Sequence, residues 1–257
     1  NGYNIAIGHN AGLSVTTGVQ NTIIGGLAGD ALTTGDSNVA IGYTALSSED
    51  EHGSNTAIGF AALQVQNAGA DAFNVAIGHA AGLSVSTGAG NVLIGGLAGD
   101  ALTTGIRNVA IGLEALSTED TRNYAVAIGY RALFSQDAAS NTYNVAIGAE
   151  AGKSVTTGAQ NTLIGGLAGS ALTSGGENVA IGYAALISED ANGRNVAIGK
   201  SALTTQNAGA EAYNVAIGYE AGKAVTTGTG NTLIGAFAGD AITTGTNNTA
   251  IGRSALT

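Results

Sequence analysis

The 257-residue chain has no cysteine, methionine, tryptophan or proline. Without cysteine there is neither a disulfide framework nor a thiolate metal site, which fits an exported repeat protein held by hydrogen bonds. Charged residues are only 10%, far fewer than a disordered segment carries. The formal net charge is −10, and eight Lys plus Arg are spread over the whole length. Binding nucleic acid through its phosphates needs a basic stripe, which this chain cannot assemble. The same deficit disfavours an anionic membrane surface. No run of 18 apolar residues exists, so no membrane insertion is expected in this segment.

What is present is a repeat. The pentapeptide Asn-Val-Ala-Ile-Gly, or a near variant, recurs fifteen times. Its isoleucines begin at Ile7, Ile24, Ile41, Ile58 and Ile77, so the intervals run 17, 17, 17 and 19, and the cycle then repeats. A fixed short period means that each unit is one turn of a stacked coil. The 42 glycines recur at fixed places in that coil and read as corners of a regular path, not as a flexible composition.

Counting the motif Asn as position zero, position three is always Ile (Ile7, Ile24, Ile41, Ile58), position four always Gly (Gly8, Gly25, Gly42, Gly59) and position seven always Ala (Ala11, Ala28, Ala45, Ala62). Position zero is Asn in every coil but one, where Ala125 replaces it. Positions one to three read β-branched, small, β-branched, which suits a strand. Positions one and three share one face and position two the other. The expectation is that Val and Ile fill the coil interior and that position two, Ala or Leu, forms an outward apolar row. Gly at four turns the chain where a Cβ would collide or φ must be positive. Asn4, Asn21, Asn38 and Asn55 are expected to stack as a ladder of side-chain amides bonding along the axis.

Four kinds of coil build a superrepeat of 70 residues, dividing one repeat solenoid over residues 1–257 into 4–73, 74–143, 144–213 and a partial 214–257. The fold class expected is an all-β parallel β-solenoid, a β-roll or β-helix. The back half of each coil, as in YEAGKAV or LEALSTED, has helical propensity, so a short helical turn or a second short strand is expected there. At ~4.8 Å per coil the result would be a rod about 70 Å long. The outward apolar row marks a lateral interface, and identical chains close it with cyclic symmetry. Because the chain begins and ends inside the repeat, it reads as a segment of a longer fibre.

The search for chemistry yields no catalytic residues, no cofactor site and no metal ligands. The pairs Glu49/Asp50, Glu119/Asp120 and Glu189/Asp190 recur once per superrepeat. Four coils separate successive pairs by about 19 Å, too far for a catalytic dyad, so each reads as a solvated charged corner. His9 and His79 are equivalent, and His52 stands apart. Thr16/Thr17 and Thr33/Thr34 suggest an ice-matching array, but it is broken every two coils.

The phrases NVAIGYxAL and NTAIG resemble the repeats of trimeric autotransporter adhesin heads, and still more the NTAIG-type arrays of bacteriophage tail fibres. The likeness covers every coil from position zero to position seven. It implies a parallel β-roll, a homotrimer, and a stalk or adhesive head on a cell or virion surface, outside the cell, that meets a host-surface glycan or receptor. The head repeats are nearer 14 residues than the 17 found here. The function expected is therefore a structural fibre segment that associates with itself. The alternative is a solenoid whose wall binds glycan or ice.

Overall fold

The computed structural model describes residues 2–257. The chain is all-β, a parallel β-solenoid in which each turn contributes one three-residue strand. It divides into two compact units, Asn1–Ala125 and Val126–Thr257. The first unit holds β1 (Ile5–Ile7), β2 (Thr22–Ile24), β3 (Val39–Ile41), β4 (Thr56–Ile58), β5 (Val75–Ile77), β6 (Val92–Ile94) and β7 (Val109–Ile111). The second holds β8 (Val126–Ile128), β9 (Val145–Ile147), β10 (Thr162–Ile164), β11 (Val179–Ile181), β12 (Val196–Ile198), β13 (Val215–Ile217), β14 (Thr232–Ile234) and β15 (Thr249–Ile251). Within each unit the strands pair in chain order, all parallel. Like residues align: Ile24 sits beside Ile7 and Ile41, and Ile181 beside Ile164 and Ile198.

The strands face the opposite way to the expectation. The middle residue is the buried one: Ala40, Ala57 and Leu93 in the first unit, and Leu163, Ala180 and Ala197 in the second, are inaccessible. Positions one and three are half-exposed. The reason is the width of the coil. Its interior takes the position-two side chain, the Ala at position seven (Ala28, Ala45, Ala62 are fully buried) and one longer apolar side chain from the back half. Two β-branched side chains per strand would overfill that space, so Val and Ile point out.

The longer core side chain alternates between two positions. In coils of the first two kinds it comes from position eleven, as with Leu32, and position eight is Gly. A Cβ on Gly29 would stand 2.9 Å from Leu32 Cδ1. In the other two kinds Leu46 and Leu63 fill the space from position eight. Position eleven then carries a polar residue, Glu49 or Gln66.

Neither a helical turn nor a second strand forms in the back half; among the described residues there is no helix. Positions six and eight take the left-handed conformation, even for Leu27 (φ 57°) and Leu46 (φ 52°). Hydrogen bonding explains this. Gly25 N–H donates to Ile7 O in the preceding turn (2.8 Å) and Leu27 N–H to His9 O (2.9 Å), while Gly29 N–H donates to Ala45 O in the following turn (2.9 Å). Donors thus point both up and down the stack. A right-handed helical turn would send every N–H back along its own segment and strand the neighbouring turn's carbonyls. The penalty for left-handed leucines, about 1–2 kcal/mol each, is offset by these axial bonds and by leucine burial.

Candidate functional site: the outward strand face and the buried acidic corner

The structure assembles the expected ladder residues as follows. Asn21 N–H donates to Asn4 Oδ1 (2.8 Å), Asn38 N–H to Asn21 Oδ1 (2.8 Å) and Asn55 N–H to Asn38 Oδ1 (3.0 Å). Each amide nitrogen closes its own coil: Asn4 Nδ2 donates to Gly18 O (2.7 Å), Asn21 Nδ2 to Gly35 O (2.8 Å) and Asn38 Nδ2 to His52 O (3.2 Å). The ladder is therefore chiefly side chain to backbone, in place of the amide-to-amide stack expected. Steps between amides do occur at Asn231 to Asn214 (3.2 Å) and Asn248 to Asn231 (2.9 Å). In the first unit the side-chain ladder ends at Ala125, which still donates its N–H to Asn108 Oδ1 (2.9 Å) and accepts the Val109 N–H at its carbonyl (2.9 Å).

Ile7, Ile24, Ile41 and Ile58 form a rank on the outside of the sheet, beside the rank Ile5, Thr22, Val39, Thr56. Ile7, in the end coil, is 59% exposed. Past the glycine corner, position five also carries exposed side chains. Tyr43 and Phe60 stack with ring centroids 5.8 Å apart, and Phe60 and His79 with 5.1 Å. Tyr43, Phe60, Leu113, Tyr130 and Tyr183 are all exposed. Position minus one adds Tyr3, Phe73, Tyr143 and Tyr213, also exposed. Arg194 bonds the Tyr213 hydroxyl (2.7 Å) and Glu177 (3.2 Å) there. Gly8, Gly25, Gly42 and Gly59 make the corner, with φ between 134° and 138°.

The threonine corner is structural. Thr16 Oγ1 donates to Thr33 O (3.0 Å), and Thr33 Oγ1 to Asp50 O (2.9 Å), so these hydroxyls bond the next turn, with Thr16 exposed and Thr33 half-buried.

The acidic pairs are split, contrary to the solvated corner expected of them. Glu49, Glu119 and Glu189 are fully buried at the position where coils of the first two kinds carry Val, Leu or Ile, while Asp120 and Asp190 are exposed. Counting eleven from the motif Asn would have disclosed this, because Leu32 and Glu49 then align. Glu49 Oε1 accepts the His52 N–H (3.3 Å), and Glu189 Oε1 accepts from Asn192 Nδ2 (3.4 Å). Their Oε2 atoms have no hydrogen-bond partner among the described residues. Burial pushes both carboxyls above the usual range, against the opposing hydrogen bonds from His52 and Asn192. In the next turn Gln66 Oε1 accepts from Asn74 Nδ2 (2.9 Å), and Gln66 Nε2 is unpaired among the described residues, as is Asn55 Nδ2. The fourth coil's two extra residues move the carbonyl that the Asn amide meets elsewhere. His52, which the sequence set apart, lies in the Glu49 corner, with Nδ1 3.9 Å from Glu49 Oε1.

No pocket opens among the described residues, and they hold no helix long and apolar enough to cross a membrane. Comparison with protein families, characterised proteins and solved structures finds no match. The likeness to adhesin heads and tail fibres thus rests on the motif alone.

Proposed function

We propose that this chain is a structural segment of a fibre or stalk on a cell or virion surface, associating laterally with copies of itself as a homotrimer. The observation that carries this reading is the outward rank of isoleucines, half-exposed in turn after turn and flanked by Val, Thr and aromatic side chains. A row of apolar side chains repeated along every strand is costly to leave in water and is characteristic of an interaction face. The interface foreseen for position two therefore moves to positions one and three, where the side chains are larger. Cyclic closure about one axis covers the face on every copy at once, and the motif's resemblance to trimeric adhesin heads favours three. Such a segment gives reach to an adhesive end that meets a host glycan or receptor outside the cell. Sedimentation velocity on the whole chain tests it: a trimer is expected, and a clean monomer at tens of micromolar contradicts it.

A second reading is supported by the register of the same face. Its Val, Thr and Ile ranks repeat at the strand spacing of about 4.8 Å, a periodicity that suits an ordered surface such as ice or a regular glycan. Thermal hysteresis by a monomeric chain would favour it over self-association.

A further inference from the structure

The third coil of each superrepeat carries the same corner, with its last two residues changed from copy to copy. It reads Glu49-Asp50-Glu51-His52 in the first copy, Glu119-Asp120-Thr121-Arg122 in the second and Glu189-Asp190-Ala191-Asn192 in the third. In the first copy alone an imidazole joins the two carboxylates. One donor atom each of Glu49, Asp50 and His52 lies within 4.8 Å of the others. Among the described residues, Glu49 is fully buried and its Oε2 has no hydrogen-bond partner. His52 Nδ1 is likewise buried and without a hydrogen-bond partner among them, though it lies 3.9 Å from Glu49 Oε1. Two polar atoms shut away from water without a partner are expensive, and a cation shared by the carboxylate and the imidazole would satisfy both.

We propose that Glu49, Asp50 and His52 form a binding site for a divalent transition metal, best matched by Zn²⁺. One imidazole nitrogen and two carboxylate oxygens suit zinc, whose tetrahedral shell would be completed by water. Ca²⁺ and Mg²⁺ favour oxygen ligands throughout. Asp50 and His52 are only half-buried, so a hydrated ion reaches the corner from outside, while Glu49 closes the inner side. The surroundings hold the ligands in place. Asp50 O accepts from Thr33 N–H (2.6 Å), Asp50 Oδ1 accepts from Glu51 N–H (2.7 Å) and His52 O accepts from Asn38 Nδ2 (3.2 Å). Zinc here would tie the coil's corner to its buried core. It would be a structural ion, and the reading is independent of the fibre proposal.

The test is calorimetric titration of the whole chain with ZnCl₂, with Co²⁺ absorption as a report on coordination. One zinc per chain is expected. His52→Asn installs the residue that the third copy carries at 192, so the fold accommodates it, and circular dichroism checks that it does. This variant should lose at least tenfold in zinc affinity. Asn192→His should add a second zinc per chain. The proposal is overturned if no zinc binds at 100-micromolar metal, if His52→Asn binds as before, or if Asn192→His gains nothing.

Discussion

Gly42 lies so close over Gly59 that a Cβ on Gly42 would stand 2.2 Å from the Gly59 carbonyl oxygen. That oxygen belongs to the backbone of the next turn and cannot step aside without breaking the stack. Gly42 also has φ 138°, a conformation that only glycine adopts readily. Gly42→Ala should therefore cost more than about 3 kcal/mol and lower the thermal midpoint sharply. Gly69, also at positive φ (68°) but with open space at its Cβ, should tolerate alanine at about 1 kcal/mol. Urea titration of the two variants makes the comparison.

The reversed strand is tested by adjacent residues. Leu163 is fully buried and Ile164 half-exposed. Leu163→Ala should cost about 2–5 kcal/mol through lost burial and the cavity left behind. Ile164→Ala should cost less than about 1 kcal/mol in the dissociated chain. Equal losses, or the opposite order, would contradict the orientation described above.

The asparagine ladder predicts a different kind of loss. Asn91 is buried, accepts the Asn108 N–H at 2.9 Å and donates from Nδ2 to Gly105 O at 2.8 Å. Asn91→Ala leaves a buried donor and a buried acceptor without partners, at about 1–3 kcal/mol each. Hydrogen exchange should quicken at the Asn108 amide first, because it loses its side-chain acceptor.

Glu189 sets a pH dependence. Burial raises its pKa from an ordinary value near 4.5, with the Asn192 hydrogen bonds and the neighbouring Asp190 as lesser influences. A carboxyl whose folded pKa is raised contributes its full stability below the unfolded pKa and loses it as pH rises through the folded one. Glu189→Gln removes the ionisable group, and glutamine already fills the equivalent position at Gln206. At pH 7 the variant should be more stable than the parent by about 1–3 kcal/mol. The difference should vanish below about pH 4. A variant less stable than the parent at pH 7 would refute the assignment.

The stack itself was readable in the chain. The 17-residue interval and the invariant Gly at position four imply in-register turns, and Ile24 duly lies between Ile7 and Ile41. Alternation also separates Ala40 from Val39 and Ile41, but it does not say which side faces in. That depends on how wide the coil is, and so on the left-handed turns at residues such as Leu46 and Glu114. Nothing in a leucine or a glutamate announces a positive φ. The Glu49 corner was half legible. Its place in the period aligns it with Leu32, yet its charge suggested solvent, and the approach of His52 depends on that same turn.

The absence of cysteine permits one decisive measurement: the rate of thiol labelling of Ile181→Cys, with Ala180→Cys as its neighbour control, as the protein is diluted. The account predicts that the Ala180→Cys thiol stays unreactive at every concentration in the folded chain. The Ile181→Cys thiol should be protected when concentrated and become reactive as the assembly dissociates. Equal labelling of Ile181→Cys at all concentrations would contradict an interface there, and a reactive Ala180→Cys would contradict the fold's orientation.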